Sequence, residues 1–384
     1  MPFCQVIVDI NHTDVDHVFT YRVPAGLDVC PGMRVHVPFG PRKLEGVVVE
    51  MAADCDLPPE RVKDICDTLE DYPAVLPPLL ELAKEIQRTS FCTLAVALRL
   101  MFPAQMRGQR IREKQQEVAV LTVAPDVLGQ VIAAQVRAPK RAKVLRALAD
   151  APDMELTTAA LRETVGDSRD ALNALCKMGF VKLEKRESLR RPYGEMERLS
   201  AQDPELTRQQ EDVLAELLPA VETGKGEFLL YGVTGSGKTE VFIRAVRRAA
   251  QMGKTAIVLV PEIALTPQMV SWFRSRFGED AAVLHSRLSP GERYDEWRRI
   301  RRGDVRVVIG ARSAIFAPLQ NVGLIIIDEE HEQSYIADNN PHYDARRLAH
   351  ERCAREGAAL LLASATPSMR SFAMAGRGDL RLLE

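Results

Sequence analysis

Residues 232–239 are Gly232, Val233, Thr234, Gly235, Ser236, Gly237, Lys238 and Thr239, which fits G-x-x-x-x-G-K-[ST] at every fixed position. The apolar run 228–231 before it predicts a buried strand, and helical spacing of apolar residues predicts a helix over 240–252. Such a loop turns backbone N–H groups toward a phosphate, and the helix N-terminus adds partial positive charge. We therefore predict that Lys238 reaches the β- and γ-phosphates of a nucleotide and that Thr239 ligates Mg²⁺. An ordinary glycine-rich turn is the alternative.

A second chemical site follows the apolar run 324–327, which predicts a strand that ends in Asp328, Glu329, Glu330 and His331. Its carboxylates would emerge at the same sheet edge as the phosphate loop. Asp328 is the expected Mg²⁺ ligand, and Glu329 is expected to orient and polarise the attacking water. We assign no chemical role to Glu330 and expect His331 to relay the nucleotide state. A solvated acidic turn is the alternative.

The C-terminal half of the chain predicts a doubly wound α/β lobe with a parallel sheet. Nearly continuous apolar runs are typical of strands buried on both faces. Further strands are predicted at 255–260, 282–285, 305–309 and 359–363, and helices at 267–277, 290–302 and 345–356. Just before the first helix of the lobe, Gln210 is a candidate for reading the adenine edge, and an ordinary polar helix start is the alternative. After the last strand, Ser364 and Thr366 lie in a small hydroxyl loop that could couple the nucleotide site to a DNA track.

Residues 1–105 predict a small β-rich domain, either a barrel or an open sheet. Strands are expected at 4–10, 19–24, 31–40 and 45–50, with a further one at 63–65, and a helical stretch over 74–101 broken near 89–90. The aromatic residues Phe19, Tyr21 and Phe39 stand near cations and could stack on bases. The alternative is that these rings fill a small core and the cations are solvated.

Residues 106–198 predict a basic connector and a winged helix. Helices are expected at 141–149, 157–165 and 168–178, with Thr157 or Thr158 as an N-cap and Gly179 as a C-cap, followed by wing strands over 180–185. The third helix is only weakly basic, so DNA contact and protein contact both stay open. The polar residues 187–200 predict a linker into the third domain, residues 199–384.

Composition limits the classes of protein that remain. The 384 residues are enough for two to three domains, and a net charge of −2 excludes a global basic footprint, so DNA binding would depend on local patches. The seven cysteines include no C-x-x-C pair, which predicts free thiols in a reducing compartment rather than a zinc site or disulfides. No targeting or membrane-spanning pattern is found, so we expect a soluble cytoplasmic protein.

Taken together, these motifs resemble a known family. Gln210, the phosphate loop, VPEIALTPQ (260–268), His285–Ser286, GARSAIFAP (310–318), DEEH (328–331) and SATPS (364–368) occur in the order of a superfamily 2 helicase. In combination they are similar to the bacterial replication-restart helicases, the PriA or primosomal protein N′ family, and the likeness covers the whole chain. The resemblance implies a RecA-like first helicase lobe behind a 3′-DNA-binding domain and a winged helix.

The resemblance also implies an activity. Members recognise stalled or abandoned forks, bind the leading-strand 3′ end, unwind DNA 3′ to 5′ with ATP, and help reload the replicative helicase. The implied partners are forked and single-stranded DNA, single-strand-binding protein, other primosome proteins and the helicase loader. The resemblance further implies that the protein is a monomer, that it is cytoplasmic and that it associates with the nucleoid.

The resemblance further implies which residues meet DNA. The positions that match the family's 3′ pocket are Phe19, Thr20, Tyr21, Gly40 and Lys63, and Arg312 belongs to a DNA-binding motif. Thr20 stands where the family usually has an acidic residue, so it can accept a hydrogen bond from a 3′-OH only without charge assistance. Residues 332–344 match a loop that couples DNA binding to hydrolysis, with Tyr335 and Tyr343 as its aromatic candidates.

The family pattern includes a second helicase lobe with an arginine finger and zinc-binding cysteine pairs, which these 384 residues do not contain. We therefore expect no zinc in this chain and slow ATP hydrolysis by the chain alone. The competing interpretation is a non-catalytic module for fork binding and primosome assembly, with a regulatory or vestigial ATP lobe. A P-loop subunit of a restriction or transport machine is a third, which residues 1–105 and the 310–318 motif disfavour.

Overall fold

A computed structural model describes residues 2–55, 57–58, 60–109, 111, 114–190 and 204–384. The chain forms two compact units, one of Met1–Ile111 with Arg191–Glu384 and one of Arg112–Arg190. Of the predicted linker, residues 191–200 lie outside the described residues, as do Arg110 and Arg112 of the basic connector, and Glu187 belongs to the last strand of the second unit. None of the described helices combines the length and the apolar composition that crossing a membrane requires.

The N-terminal part of the first unit is a five-stranded antiparallel sheet in the order β2-β1-β4-β3-β5. Its strands are β1 (Phe3–Val8), β2 (Phe19–Arg22), β3 (Arg34–Phe39), β4 (Arg42–Ala52) and β5 (Asp67–Thr68). The Arg22 amide donates to the Lys63 carbonyl at 2.9 Å, and the Ile65 amide donates to the Arg22 carbonyl at 3.0 Å. These bonds join one edge of the sheet to the segment that precedes the other edge, as in a small barrel.

One predicted strand is displaced. Residues 63–65 form only an isolated bridge between Asp64 and Arg22, and the fifth strand lies at Asp67–Thr68, paired with Val35 and His36. Ile65, within the predicted strand, is buried, but its amide donates to Arg22 at the end of β2, and no continuous strand pairing follows.

Two helices, α1 (Pro77–Ser90) and α2 (Leu94–Leu98), follow the sheet, and the helical stretch is broken at Phe91–Thr93, just after the predicted 89–90. Their apolar faces join the hydrophobic core of the C-terminal lobe, where Leu79 and Ile86 share a cluster with Ile315 and Leu348. Polar contacts add to this: the Trp297 indole donates to the Met101 carbonyl at 3.3 Å. Burial of each such aliphatic side chain contributes about 1.5–3 kcal/mol, so the N-terminal domain and the lobe stabilise each other.

The second unit contains β6 (Gln115–Leu121), α3 (Pro125–Ala133), α4 (Pro139–Ala149), β7 (Glu155–Thr157), α5 (Thr158–Val165), α6 (Arg169–Lys177) and β8 (Val181–Glu187). The Thr157 hydroxyl caps α5 by accepting from the Ala160 amide at 3.0 Å. The three predicted helices are present as α4, α5 and α6.

The strand pairing in this unit differs from the predicted wing. Residues 180–185 do not supply a hairpin, because the single strand β8 pairs along its whole length with β6, which precedes the helices. Strand β7 pairs with the other edge of β6, giving the order β7-β6-β8. The prediction of wing strands from one local stretch was therefore wrong, since the partner comes from about 60 residues earlier in the chain.

The C-terminal lobe is a seven-stranded parallel sheet in the order β11-β12-β10-β13-β14-β9-β15, which confirms the predicted fold. Its strands are β9 (Glu227–Tyr231), β10 (Thr255–Leu259), β11 (Ala281–Leu284), β12 (Val307–Gly310), β13 (Val322–Ile327), β14 (Ala359–Ser364) and β15 (Arg381–Leu383). Its helices are α7 (Arg208–Thr223), α8 (Lys238–Gln251), α9 (Pro267–Phe277), α10 (Pro290–Arg302), α11 (Ala345–Glu356) and α12 (Met369–Arg377). The edge strand β15 was not predicted.

Candidate functional site

The phosphate loop connects β9 to α8, as the sequence predicts. Its first residue is tied to the neighbouring strand, because the Gly232 amide donates to the Ser364 carbonyl at the end of β14 at 3.2 Å. Gly237 caps α8 with a φ of 83°, a left-handed conformation that favours glycine. The backbone N–H groups at the start of α8 therefore face the open end of the loop.

Lys238 is the first residue of α8, and its side chain returns across the loop. Its ammonium donates to the Gly232 carbonyl at 2.7 Å. The half-buried cation is thereby held by the carbonyls of Gly232 and Val233, directly after the end of β9. An ammonium beside free helix N–H groups is the donor set that a nucleotide phosphate requires, so the residues present fit that ligand.

The acidic pair lies at the same edge of the sheet. Its strand, β13, is separated from β9 by β14 alone, and the Asp328 amide donates to the Leu259 carbonyl at 2.9 Å. The Asp328 carboxylate accepts from the Glu329 amide at 3.0 Å. Glu329 has a φ of 44°, which is uncommon for a residue other than glycine.

Burial, together with the charge of Glu329, raises the pKa of the Asp328 carboxyl to about 6, although the hydrogen bond from the Glu329 amide and the charge of Lys238 lower it. The buried Asp328 and the neighbouring Glu329 place two carboxylates together, which favours binding of a compensating positive charge. A divalent metal ion would supply it, so this donor set fits Mg²⁺.

A pH dependence follows, because a metal ion binds the carboxylate and not the carboxylic acid. Since the free protein protonates Asp328 below about pH 6, Mg²⁺-dependent nucleotide binding should weaken severalfold between about pH 7 and about pH 5. Titration of a fluorescent ATP analogue at each pH measures this. Asp328→Asn should bind weakly at neutral pH and lose the pH step, and a wild-type affinity that does not change over this range would contradict the assignment.

Gln210 contacts the phosphate loop directly. Its side-chain amide donates to the carbonyls of Ser236 at 3.2 Å and Gly237 at 3.3 Å. Its oxygen accepts from the Thr207 amide at 2.9 Å, and the Thr207 hydroxyl caps α7 in return. The adenine contact of Gln210 stays a prediction. In the structure its side-chain amide binds the phosphate loop and so helps to fix its position.

The three predicted coupling residues come together beside the acidic pair. The His331 imidazole Nδ1 and the Ser364 hydroxyl lie 2.8 Å apart, and the Thr366 amide donates to the same hydroxyl at 2.9 Å. Ser364 ends β14, the strand between the phosphate-loop strand and the acidic strand. Ser364 therefore contacts residues that follow both flanking strands: its hydroxyl meets His331 after β13, and its carbonyl accepts from the Gly232 amide after β9.

Glu330, to which the sequence assigned no role, is fully buried at 0% exposure. Its carboxylate accepts from the Ser368 amide at 2.6 Å and from the Ser371 hydroxyl at 2.8 Å. Its carbonyl accepts from the Arg346 guanidinium at 2.8 Å. The sequence signal was the pair of serines that follow SATP, which are suited to bind a carboxylate at the start of a helix.

In the segment after DEEH, the two aromatic residues that the sequence offered for coupling pack against other parts of the lobe. Tyr335 is 0% exposed, and its hydroxyl donates to the Asp328 carbonyl at 2.6 Å. The Tyr343 ring packs edge-on against Phe316 with centroids 5.1 Å apart and lies under the Arg312 guanidinium at 5.6 Å. Arg312 also donates to the Ser334 carbonyl at 3.3 Å and to the Ile336 carbonyl.

The end of β3 brings together three residues of the predicted 3′ pocket, Phe19, Tyr21 and Gly40. The half-buried Phe19 ring meets Phe39 edge-on with centroids 5.2 Å apart, and Gly40 follows at the β3–β4 turn with a φ of 56°. Tyr21 is 4% exposed, and its hydroxyl donates to the Pro38 carbonyl at 3.3 Å, so its ring fills the core. Thr20 is half-buried and Lys63 is exposed.

Comparison with known proteins gives separate matches for the N-terminal β-rich domain and for the C-terminal lobe. Residues 5–103 match the family described as the PriA 3′DNA-binding domain, and residues 207–375 match the DEAD/DEAH box helicase family. Over 100% of its length the chain is 33% identical to the replication restart protein PriA of Bacillus subtilis (strain 168). The chain belongs to the PriA family.

Two further PriA proteins extend the comparison. The one from Synechocystis sp. is 34% identical over 97% of this chain, and the one from Treponema pallidum is 52% identical over 42% of it. The chain spans about half the length of the curated relatives that it matches along its length, 55% of the Bacillus protein and 52% of the Synechocystis protein. The 161 residues shared with the Treponema protein cover 24% of that relative.

Proposed function

We propose that this chain serves an ATP-dependent, 3′-to-5′ DNA helicase of replication restart, which recognises stalled or abandoned forks and promotes primosome assembly. The observation that supports this most is the convergence of Lys238 with Asp328 and Glu329 at one edge of a parallel sheet. The same compact unit contains the barrel that matches a 3′DNA-binding domain. A nucleotide site and a DNA-binding domain in one body are what a DNA motor requires.

The nucleotide in this proposal is ATP with Mg²⁺. Lys238 and the amides that open α8 hold the phosphates, and Thr239 and Asp328 are the metal ligands. When bound, the metal ion neutralises charge on the phosphate oxygens. Glu329 orients the attacking water. Because phosphoryl transfer depends mainly on positioning and charge, these few side chains are sufficient on this side of the site.

His331, Ser364 and Thr366 transmit the nucleotide state in this proposal. The hydroxyl that they share lies between the two strand ends that carry the phosphate loop and the acidic pair. Arg312 and the segment 332–344 form the next part of that route, since the Tyr335 hydroxyl holds the Asp328 carbonyl.

The DNA partner is a fork with a leading-strand 3′ end in the pocket of Phe19, Thr20, Tyr21, Gly40 and Lys63. Protein partners are single-strand-binding protein, other primosome proteins and the loader of the replicative helicase, and the site of action is the nucleoid. These finer points rest on membership of the PriA family and on the match of residues 5–103.

Two partial duplexes, one with a 3′ single-stranded tail and one with a 5′ tail of the same sequence, test the direction. Any strand displacement that ATP drives should require the 3′ tail, and Glu329→Gln should abolish it while ATP binding remains. Displacement from the 5′-tailed substrate alone would contradict the proposed direction. Binding of forks and ATP without displacement would favour the second candidate, a module for fork binding and primosome assembly.

A further inference from the structure

The carboxylate of Glu330 is the most completely buried acidic group at the nucleotide edge of the sheet among the described residues. Three donors surround it: the Ser368 amide at 2.6 Å, the Ser371 hydroxyl at 2.8 Å and the Ser368 hydroxyl at 3.1 Å. A buried carboxylate is costly unless such donors compensate it. We call these three residues, Glu330, Ser368 and Ser371, the serine clamp.

The serine clamp joins two parts of the site that are distant in sequence. Glu330 stands between Glu329 and His331, and its amide donates to the Ala363 carbonyl at 3.0 Å. Ser368 is the N-cap of α12, and its hydroxyl accepts from the Ser371 amide at 3.2 Å. The carboxylate therefore lies at the N-terminus of α12, where the helix dipole also favours negative charge.

The segment 364–368 is held at both ends by the acidic motif. At its start the Ser364 hydroxyl contacts His331, and at its end Ser368 contacts Glu330. Two consecutive residues of one motif thus fix both ends of a five-residue segment. A movement of the Asp328–Glu329 turn should therefore also move this segment, because Glu330 and His331, which bind its two ends, follow that turn directly.

We propose that Glu330 is a positioning residue that couples the nucleotide site to the segment 364–371 and through it to bound DNA. The inference rests on the proposed function and adds a residue to its coupling route. Glu330 touches neither nucleotide nor DNA in this account. It acts because its charge-assisted bonds hold α12 to the acidic turn, and such bonds are about twice as strong as those of a neutral amide.

Glu330→Gln keeps the shape of the side chain and removes the charge. The readout is linkage: the Kd for a fluorescent forked DNA is measured with and without a saturating, slowly hydrolysed ATP analogue and Mg²⁺. In the wild type the analogue should change the DNA affinity by a factor of roughly 5 or more. In Glu330→Gln this factor should fall about fivefold toward one, while the separate Kd values for nucleotide and for DNA stay within about twofold.

Two further variants separate coupling from stability. Ser371→Ala removes one bond of the clamp, so it should lower the coupling factor partly, and the double variant should lose no more than Glu330→Gln alone. Glu356→Gln is the matched control, since Glu356 is a buried carboxylate of the same lobe that pairs with Arg352. It should lower thermal stability and leave the coupling factor unchanged.

The outcomes are distinguishable. A wild-type coupling factor preserved in Glu330→Gln and Ser371→Ala overturns the inference, as does a wild type that binds both ligands without mutual effect. If Glu330→Gln fails to fold, Ser371→Ala decides. A wild type that binds no nucleotide contradicts the proposed function itself, and the inference falls with it.

Discussion

Replacement of Lys238 with alanine is expected to weaken Mg²⁺–ATP binding by this chain about 100-fold. The ammonium is the cation of the phosphate loop, and each hydrogen bond from a charged donor contributes about 1.5–3 kcal/mol. Loss of two such bonds to phosphate oxygens, at about 1.5 kcal/mol each, corresponds to roughly two powers of ten in Kd. No other change of one side chain at this site should affect nucleotide affinity as strongly.

The measurement is equilibrium titration with a fluorescent ATP analogue in the presence of Mg²⁺. Lys225→Ala is the matched control, because Lys225 is an exposed lysine near the same sheet that makes no contact with the phosphate loop among the described side-chain bonds. It should leave the Kd unchanged. An affinity of Lys238→Ala within about threefold of the wild type would show that residues 232–239 do not form the nucleotide site.

The folded state should survive this substitution. In the structure the ammonium bonds to the Gly232 and Val233 carbonyls, which belong to a partly exposed loop where water can take its place. We expect the thermal midpoint of Lys238→Ala to remain close to that of the wild type without nucleotide, and to lack the increase that nucleotide gives the wild type. The two results together separate a binding defect from a folding defect.

The lobe could be predicted from the sequence because its signals are local. Strands β9 and β13 are mostly apolar runs, and the phosphate loop and the DEEH motif follow them directly. Parallel strands place their carboxyl ends at one edge, so strand prediction also brought Lys238, Asp328 and Ser364 together. The helices α9, α10 and α11 have the predicted bounds because proline, serine or aspartate marks their starts.

What could not be predicted depends on distant parts of the chain. The partner of β8 is β6, and no feature of residues 180–185 indicates a strand that precedes three helices. Likewise, the burial of Glu330 depends on two serines about 40 residues later, which a motif comparison treats as the end of SATPS. The sequence offers Tyr21 and Tyr335 as aromatic candidates for contact with or coupling to DNA, but both are buried, and each hydroxyl donates to a backbone carbonyl.

The chain should bind more tightly to a fork that presents a free leading-strand 3′-OH than to the same fork with a 3′-phosphate. A terminal phosphate removes the donor that Thr20 can accept from and adds bulk and negative charge at the pocket. Loss of one such bond, with the partner left unpaired, costs about 1–3 kcal/mol, so we expect a difference of about tenfold in Kd.

Thr20→Asp sharpens the test. A carboxylate accepts from the 3′-OH with charge assistance and repels the phosphate, so discrimination should increase about fivefold. Thr68→Asp is a suitable control, because Thr68 is a half-buried threonine of β5, which pairs with β3 of the same barrel and not with β2. It should leave the discrimination at the wild-type value.

Fluorescence anisotropy with these two forks, at one fixed salt concentration, tests the central claim most directly, because phosphate contacts alone would give equal binding. Tighter binding of the wild type to the free 3′-OH, enhanced in Thr20→Asp, is the result that fork-end recognition by a replication-restart protein predicts. Equal affinity of the wild type and of Thr20→Asp for both forks would contradict it.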